Sequence, residues 1–259
     1  MKITVITPCF NPGRFLAPML ESVERNKEFV AKHIVMDGGS TDGTVERLAE
    51  WADGHSNFFY RSEPDDGQSD ACRKALELVD TEYFYWLNAD DEMLDGSAER
   101  LLGAVRGNVH PAIIYGDYVR TDAGGRIYAR RRQPGFNYRD CLNGYMTVQN
   151  VAAIFNAPML REAGGFDPSL RFAMDYDMVL KLARTGEVRH VKGFCGAFRA
   201  HEASKTCTID DVCRCETDAV RIRYGAPKSA ALRWILHKVA KARVAWRMFR
   251  EGILFERIF

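Results

Sequence analysis

The sequence has no Gly-x-Gly-x-x-Gly turn in the place where a dinucleotide-binding fold would carry one. Between its first strand and first helix it reads Thr7-Pro8-Cys9-Phe10-Asn11-Pro12-Gly13. The glycines that let a backbone approach a pyrophosphate are missing, which argues against a Rossmann dehydrogenase. Paired cysteine spacing is missing too. The seven cysteines (Cys9, Cys72, Cys141, Cys195, Cys207, Cys213 and Cys215) form no C-x-x-C pair, so neither a disulfide framework nor a zinc site is supported. The group Cys207, Cys213 and Cys215 near His201 fits none of the zinc patterns. The uncharged run Asn143–Leu160 carries Asn, Gln, Gly and Pro and is no membrane span. The chain opens directly on Met1-Lys2-Ile3-Thr4-Val5-Ile6, so no signal peptide and a cytoplasmic location are expected. Internal repeats and low-complexity linkers are absent.

What is present suits one large domain, or one domain with a terminal appendage. The 259 residues are 46% hydrophobic and 11% aromatic, enough for a sizeable core and against disorder. The net charge is only +1 but unevenly placed. Residues 221–259 hold ten Lys/Arg against Glu251 and Glu256, a net of +8, and the preceding 220 residues carry a net of −7. An acidic body with a basic tail bears on partners, not on fold.

Strand and helix patterns alternate through the first half. Strands are predicted at Lys2–Thr7, His33–Met36 and Asn57–Arg61, and again from Tyr83. Helical spacing marks Phe15–Val23, Val45–Ala52 and a segment ending near Val79. That rhythm predicts a parallel, doubly wound α/β sheet. It changes after about residue 107. Ala112–Val119 and Gly125–Arg131 flank a turn as in a hairpin, and Val148–Asn156 reads as a strand. A short helix Pro158–Ala163, a helix Met178–Arg184 and a strand near Val188–Val191 follow, and the chain turns helical past His201.

The stretch Tyr83-Phe84-Tyr85-Trp86-Leu87-Asn88-Ala89-Asp90-Asp91-Glu92 organises the rest. A buried apolar strand ending in three acids places carboxylates at the crevice where open α/β sheets bind ligands. Two adjacent acids cannot point the same way, so one is expected to bind a ligand and the other to brace the loop. Oxygen ligands suit Mg²⁺ or Mn²⁺ arriving with substrate phosphates. The same acids would also suit the start of a helix from Leu94. Asp37, after the second strand, could accept hydrogen bonds from a nucleotide's base or ribose, or simply shape the turn Asp37-Gly38-Gly39-Ser40. Asp175 and Asp177 could supply a general base beside the crevice, or cap the helix that follows. His201 stands alone.

Six segments occur in a fixed order: Thr7–Asn11, Met36–Thr44, Ser62–Asp70, Trp86–Asp91, Gly164-Gly165-Phe166-Asp167 and Met174-Asp175-Tyr176-Asp177. Over residues 1–205 this series resembles the family 2 inverting glycosyltransferases of GT-A fold, particularly bacterial enzymes of surface-polysaccharide assembly. The resemblance implies a GT-A domain over 1–205, with a nucleotide-sugar half at 1–107 and an acceptor half at 108–205. Residues 206–259 would form a helical, basic extension. It implies a donor pocket built from Thr7, Pro8, Asn11, Asp37, Gly39, Asp65, Gln68, Asp70, Asn88 and Ala89. Asn88-Ala89-Asp90 falls on the family's Asp-x-Asp motif, so Asp90 would hold Mn²⁺ or Mg²⁺, with His201 completing its coordination and Asp91 as a minor ligand or brace. Asp175 falls on the catalytic base. The donor would be a UDP-, GDP- or dTDP-sugar and the acceptor a hydroxyl of a glycan or lipid-linked glycan; no nucleic-acid partner is expected. Asn88 departs from the motif by removing a charge, and Arg73 and Ala75 stand where Asn and Gly are common. A non-catalytic scaffold of the same fold would need Asp90, Asp175 and His201 lost, and all are present. A sugar-phosphate nucleotidyltransferase would need a glycine-rich, basic loop after the first strand, which Pro8–Gly13 lacks.

In the tail, Leu232, Ile235, Val239, Ala242, Trp246, Phe249 and Ile253 recur as one helical stripe. Arg233, His237, Lys238, Lys241 and Arg247 fall mostly on the other side, with Arg243 and Arg250 flanking. Two outcomes are expected of such a helix. It packs its stripe on the body, or it lies peripherally on an anionic membrane, stripe down.

Overall fold

The computed structural model describes residues 1–202 and 210–253. Cys207 and the expected domain boundary at 205/206 lie outside the described residues. The first half runs β1 (Ile3–Cys9), α1 (Leu16–Glu24), β2 (Val30–Asp37), α2 (Thr44–Gly54), β3 (Phe58–Ser62), α3 (Gln68–Glu77) and β4 (Tyr83–Trp86). Its strands pair in parallel in the order β3-β2-β1-β4. The aromatic run of β4 explains its central place. Tyr83 and Tyr85 enter the core on one face of the sheet and Phe84 and Trp86 the core on the other. Burying each such ring stabilises the fold by about 2–3 kcal/mol. The buried hydroxyls are satisfied: Tyr83 donates to Pro111 O at 2.9 Å and Tyr85 to Val151 O and Cys195 O.

The second half runs β5 (Glu92–Met93), α4 (Ser97–Leu102), β6 (Ile113–Thr121), β7 (Ile127–Arg131), α5 (Tyr138–Leu142), β8 (Ala153–Asn156), α6 (Ala157–Glu162), α7 (Met174–Thr185) and β9 (Val188–Arg199). Strand β8 lies antiparallel between β4 and β6 and stitches the two halves into one sheet, which continues β6-β9-β5 with β7 paired to β6. The expected doubly wound, mostly parallel α/β architecture is found, and every antiparallel pairing involves a strand of the second half.

Local differences have physical causes. The acids after β4 do not open a helix at Leu94: Glu92–Met93 pairs antiparallel with β9, and α4 starts at Ser97 after Gly96 at φ +71°. The strand expected at Val148–Asn156 shortens to β8, because Asn150–Ala152 forms a 3-10 turn. Helix α7 starts at Met174, which puts Asp175 and Asp177 inside its first turn. The strand near Val188–Val191 continues to Arg199, hidden in the sequence by charges and glycines. Gly196 in it is obligatory, since a Cβ there would lie 1.6 Å from Val151 O.

Helices α8 (Asp210–Arg223) and α9 (Ala230–Arg250) follow. The apolar stripe of α9 is not its packed face. Buried Asp140 of α5 accepts from Arg243 and Arg247, each at 2.6 Å, Arg233 pairs with Asp218 at 2.8 Å, and His237 Nδ1 lies 3.0 Å from Asn143 O. These polar ties, with buried Ala240 and Val244, fix the helix's rotation and turn the stripe outward. Ion pairs with a buried carboxylate partner outweigh apolar packing here, because leaving Asp140 unpaired costs several kcal/mol. Among the described residues no helix is long and apolar enough to cross a membrane.

Candidate active site

The site grows from the loop that follows β4. Asp90 and Asp91 point to different partners. Asp91 is 1% exposed and points inward, where Oδ1 accepts from Arg199 N at 2.9 Å and Oδ2 from Asn88 Nδ2 at 3.3 Å. Burial pushes its carboxyl well above the usual range, and the charge of Asp90 adds to this. Asp91 is thus the brace. Asp90 keeps a part-exposed carboxylate, with Oδ2 2.9 Å from His201 Nε2. Phe15 packs on the His201 ring with centroids 4.5 Å apart and fixes the imidazole from the other side.

Sequence reasoning passed over Arg199. Its side chain is buried and its guanidinium reaches Asp90 O at 2.9 Å, Glu92 Oε1 and Ala123 O, over the Phe15 ring. One residue thereby holds the acid loop, the β6–β7 turn and the start of α1 together. Its place at the last position of β9, two residues before His201, is the signal that could have found it.

The expected donor-pocket residues divide. Gln68 Nε2 donates to Asn88 Oδ1 at 2.7 Å, so the start of α3 is joined to the acid loop at half-buried Asn88, beside buried Ala89. Asn11, at φ +47°, clasps the next loop: its N donates to Ser40 Oγ at 2.7 Å and its Oδ1 accepts from Thr41 N at 2.8 Å. Gly39 turns at φ +85° in that loop. Asp65 stands against it, because Gly38 has no Cβ; one there would lie 2.8 Å from Asp65 Oδ2. Burial raises the Asp65 carboxyl.

Four of the expected residues have their side chains engaged within the fold. Thr7 is fully buried, with its hydroxyl 3.0 Å from His33 Nε2, and Pro8 beside it is buried in β1; neither side chain lines an open pocket. Asp37 is 1% exposed and accepts from Gly39 N, Ser40 N, Ser40 Oγ and Ser62 Oγ at 2.5–3.1 Å, so it shapes the turn. Asp70 is tied to Arg73 at 2.8 Å and Lys74 at 3.2 Å. Burial works against its charge, but those two hydrogen bonds hold its carboxyl below the usual range. Thr7, Asp37 and Asp70 each have a short polar side chain that finds partners within the fold.

The acids of α7 also separate. Asp177 is 1% exposed and saturated by Lys181 at 2.7 Å, Tyr224 OH at 3.0 Å and Arg223 at 3.3 Å. Asp175 has no such cation among the described residues. Its Oδ1 accepts from Tyr176 N at 2.7 Å, and burial pushes its carboxyl up to about 6. Glu216 of α8 accepts from the N–H groups of Arg171, Phe172 and Ala173, and takes the capping work just ahead of α7. The approach to α7 touches the donor side, where Asp167 O accepts from Ser69 Oγ at 2.6 Å and Phe166 meets Trp86 edge-on.

Among the described residues no group of three or more His, Cys, Asp or Glu could hold a metal ion. Asp90 and His201 fit one as a two-donor set, leaving the remaining positions to phosphate and water oxygens. The mixed oxygen and nitrogen set suits Mn²⁺ at least as well as Mg²⁺. A separate groove of about 640 Å³ near the start of β9, lined in part by Arg100, Arg106 and Lys192, contains none of these residues.

A family profile described as glycosyl transferase family 2 matches residues 4–163. The chondroitin synthase of Escherichia coli is 25% identical over 197 residues, covering 74% of this chain and 28% of that protein. The chain spans between 20% and 28% of the length of three such curated relatives. Among solved structures, S. aureus TarS 1-349 in complex with UDP-GlcNAc superposes with a TM-score of 0.68 at 15% identity, covering 96% of this chain and 73% of that one. The mannosyltransferase PcManGT from Pyrobaculum calidifontis, in complex with GDP-Man and Mn²⁺, gives 0.62 at 18% identity over 98% of this chain and 73% of that one. These likenesses show the fold, which is the GT-A arrangement.

Proposed function

Because the chain belongs to glycosyl transferase family 2, we propose that it moves a sugar from a nucleotide-diphosphate donor to an acceptor hydroxyl, with inversion and with a divalent ion. The acceptor is a glycan or lipid-linked glycan in cell-surface polysaccharide assembly, met on the cytoplasmic side of the membrane. The observation that carries this reading is the division of labour among the acids. Among the described residues, Asp90 of the loop acids faces His201, and Asp175 of the α7 acids has no cation beside it. The relatives' names point the same way: one makes chondroitin, and the solved neighbours were caught with UDP-GlcNAc and with GDP-Man and Mn²⁺.

In this reading the Asn11–Thr41 clasp and Asp65 cradle the nucleoside, while Gln68 and Asn88 set the loop under the diphosphate. Asp90 and His201 would hold the ion, Mn²⁺ or Mg²⁺. When bound, it offsets the negative charge that builds on the departing diphosphate. Asp175 takes the proton of the acceptor hydroxyl, and that oxygen forms the new bond to the anomeric carbon as the bond to the diphosphate breaks on the opposite face. A base titrating near 6 is charged at neutral pH yet still basic enough to accept a proton in the transition state.

The test is a thermal-shift screen of UDP-, GDP- and dTDP-sugars with Mn²⁺, with Mg²⁺ and with chelator, followed by NMR of the product's anomeric configuration. One nucleotide-sugar should protect the protein only with the ion present, and the product should have the opposite configuration to the donor. Retention of configuration, or protection indifferent to the ion, would overturn the proposal.

A further inference from the structure

Helix α9 offers solvent the face that the sequence would lead one to bury. Leu232, Ile235, Val239 and Trp246 are 43%, 49%, 44% and 62% exposed, and they lie along one line of the helix. The opposite face is spent on the body through Arg233, Arg243, Arg247 and His237. The outward stripe is therefore held outward by ionic ties; rolling it inward would break the pairs to Asp140 and Asp218.

We propose that this stripe is a docking surface for an anionic phospholipid bilayer, on which α9 lies in the plane of the headgroups. Three features select that occupant. Exposed Lys238, Lys241 and Arg250 rim the helix, where they would meet lipid phosphates as the stripe enters the acyl boundary. Indoles stand toward both ends of the helix: Trp246, and Trp234 at 63% exposure with Lys238 Nζ 5.3 Å from its ring. Indole rings prefer the boundary between headgroups and acyl chains. The charge split sets the orientation, since a tail of net +8 is drawn to an anionic surface while a body of net −7 is held off it. The 21-residue helix supplies a contact about 31 Å long. Its anchor also neighbours the proposed base: Arg243 and Arg247 grip Asp140, and the next residue, Cys141, accepts through its carbonyl from Tyr176 OH, beside Asp175. A docked α9 would present that end of the molecule to a lipid-borne acceptor, although docking itself does not depend on the reaction.

The experiment is co-sedimentation of the full chain with vesicles of phosphatidylglycerol and phosphatidylcholine, and with vesicles of phosphatidylcholine alone. The variant pair is Val239→Glu with Trp246→Glu, both at exposed positions where circular dichroism should show an unchanged fold. The expected result is binding to the anionic vesicles, reduced at least about tenfold by 0.5 M salt or by the double substitution. Tryptophan emission should be quenched by brominated lipid in the parent chain. Equal partitioning of parent and variant, or binding indifferent to anionic lipid, would overturn the proposal. So would a concentration-dependent dimer that the same substitutions dissolve, which would assign the stripe to a second copy of the chain.

Discussion

His201 Nε2 stands 2.9 Å from Asp90 Oδ2, although 111 residues separate them in the chain. An imidazole and a carboxylate at that distance, with Asp91 turned away beneath them, are the pair proposed above as the protein donors to an ion. Asp90→Asn should abolish transfer and weaken ion-dependent nucleotide binding by at least about tenfold, while circular dichroism and melting temperature stay close to the parent's. Isothermal titration with Mn²⁺ and nucleotide decides the matter. Unchanged ion dependence in this variant would assign the ion elsewhere.

Asp175 and Asp177 should respond oppositely. A carboxyl raised from 3.8 to about 6 in the fold stabilises it fully only below the unfolded value and loses that contribution as pH rises through 6. At neutral pH it is a charged group held where charge is costly. Asp175→Asn should therefore cut turnover by about 10²-fold or more yet raise stability at pH 7.5 by about 1–3 kcal/mol. Asp177→Asn should do the reverse, leaving Lys181 without its carboxylate and costing about 2–4 kcal/mol. Urea unfolding beside steady-state kinetics separates the two. Destabilisation by Asp175→Asn would make it a helix-capping residue after all.

The same titration predicts the pH profile. The logarithm of kcat/KM should fall with unit slope below about pH 6, as Asp175 becomes protonated. In Asp175→Asn the residual rate should lose that limb. A limb that persists in the variant would belong to another group.

His33 governs stability at lower pH. Burial lowers its imidazole from 6.5 to about 3, so it is neutral in the fold beside Thr7. The unfolded chain takes up this proton first. Stability is therefore complete above 6.5 and lost as pH falls toward 3, at up to about 1.4 kcal/mol per pH unit from this group. His33→Gln should flatten that slope in denaturant titrations between pH 6.5 and 4.5, whatever it costs at pH 7. An unaltered slope would remove His33 as the cause.

Asn88 has a reason to be an amide. It accepts from Gln68 Nε2 at 2.7 Å and donates to Asp91 Oδ2 at 3.3 Å, and no carboxylate can do both. Asn88→Asp should lower stability by about 1–3 kcal/mol, without tightening Mn²⁺ binding. Tighter binding at unchanged stability would show that the loop tolerates the second acid.

Much of the parallel half was legible because it depends on periodicity: apolar runs became β1, β2 and β4, and the acids closing β4 marked the crevice. Less visible were elements defined by distant partners. Nothing local announces that β9 extends through Lys192, Gly193 and Gly196, since its pairing with β6 and the approach of Val151 are long-range facts. The site was readable as a set of residue types and less so as a set of roles. Asp37 and Asp90 look alike in sequence, yet one is spent on four neighbouring donors and the other faces His201. The tail stripe was visible, but not its direction, which is set by Asp140 and Asp218 on other helices.

The short strand β5 has a consequence for the order of assembly. Among the described strands it pairs only with β9, and the acid loop between β4 and β5 is pinned by Arg199 at the end of that strand. The loop can form its nucleotide-side contacts early, through Gln68 and Asn88, but its ion-binding geometry must wait for the last strand of the sheet. The segment matched by the family profile stops at residue 163 and so holds Asp90 without its partner. In the proposed reading, a chain clipped before β9 would keep the Gln68–Asn88 contact but lose both Arg199, which pins the acid loop, and His201, the proposed partner of Asp90.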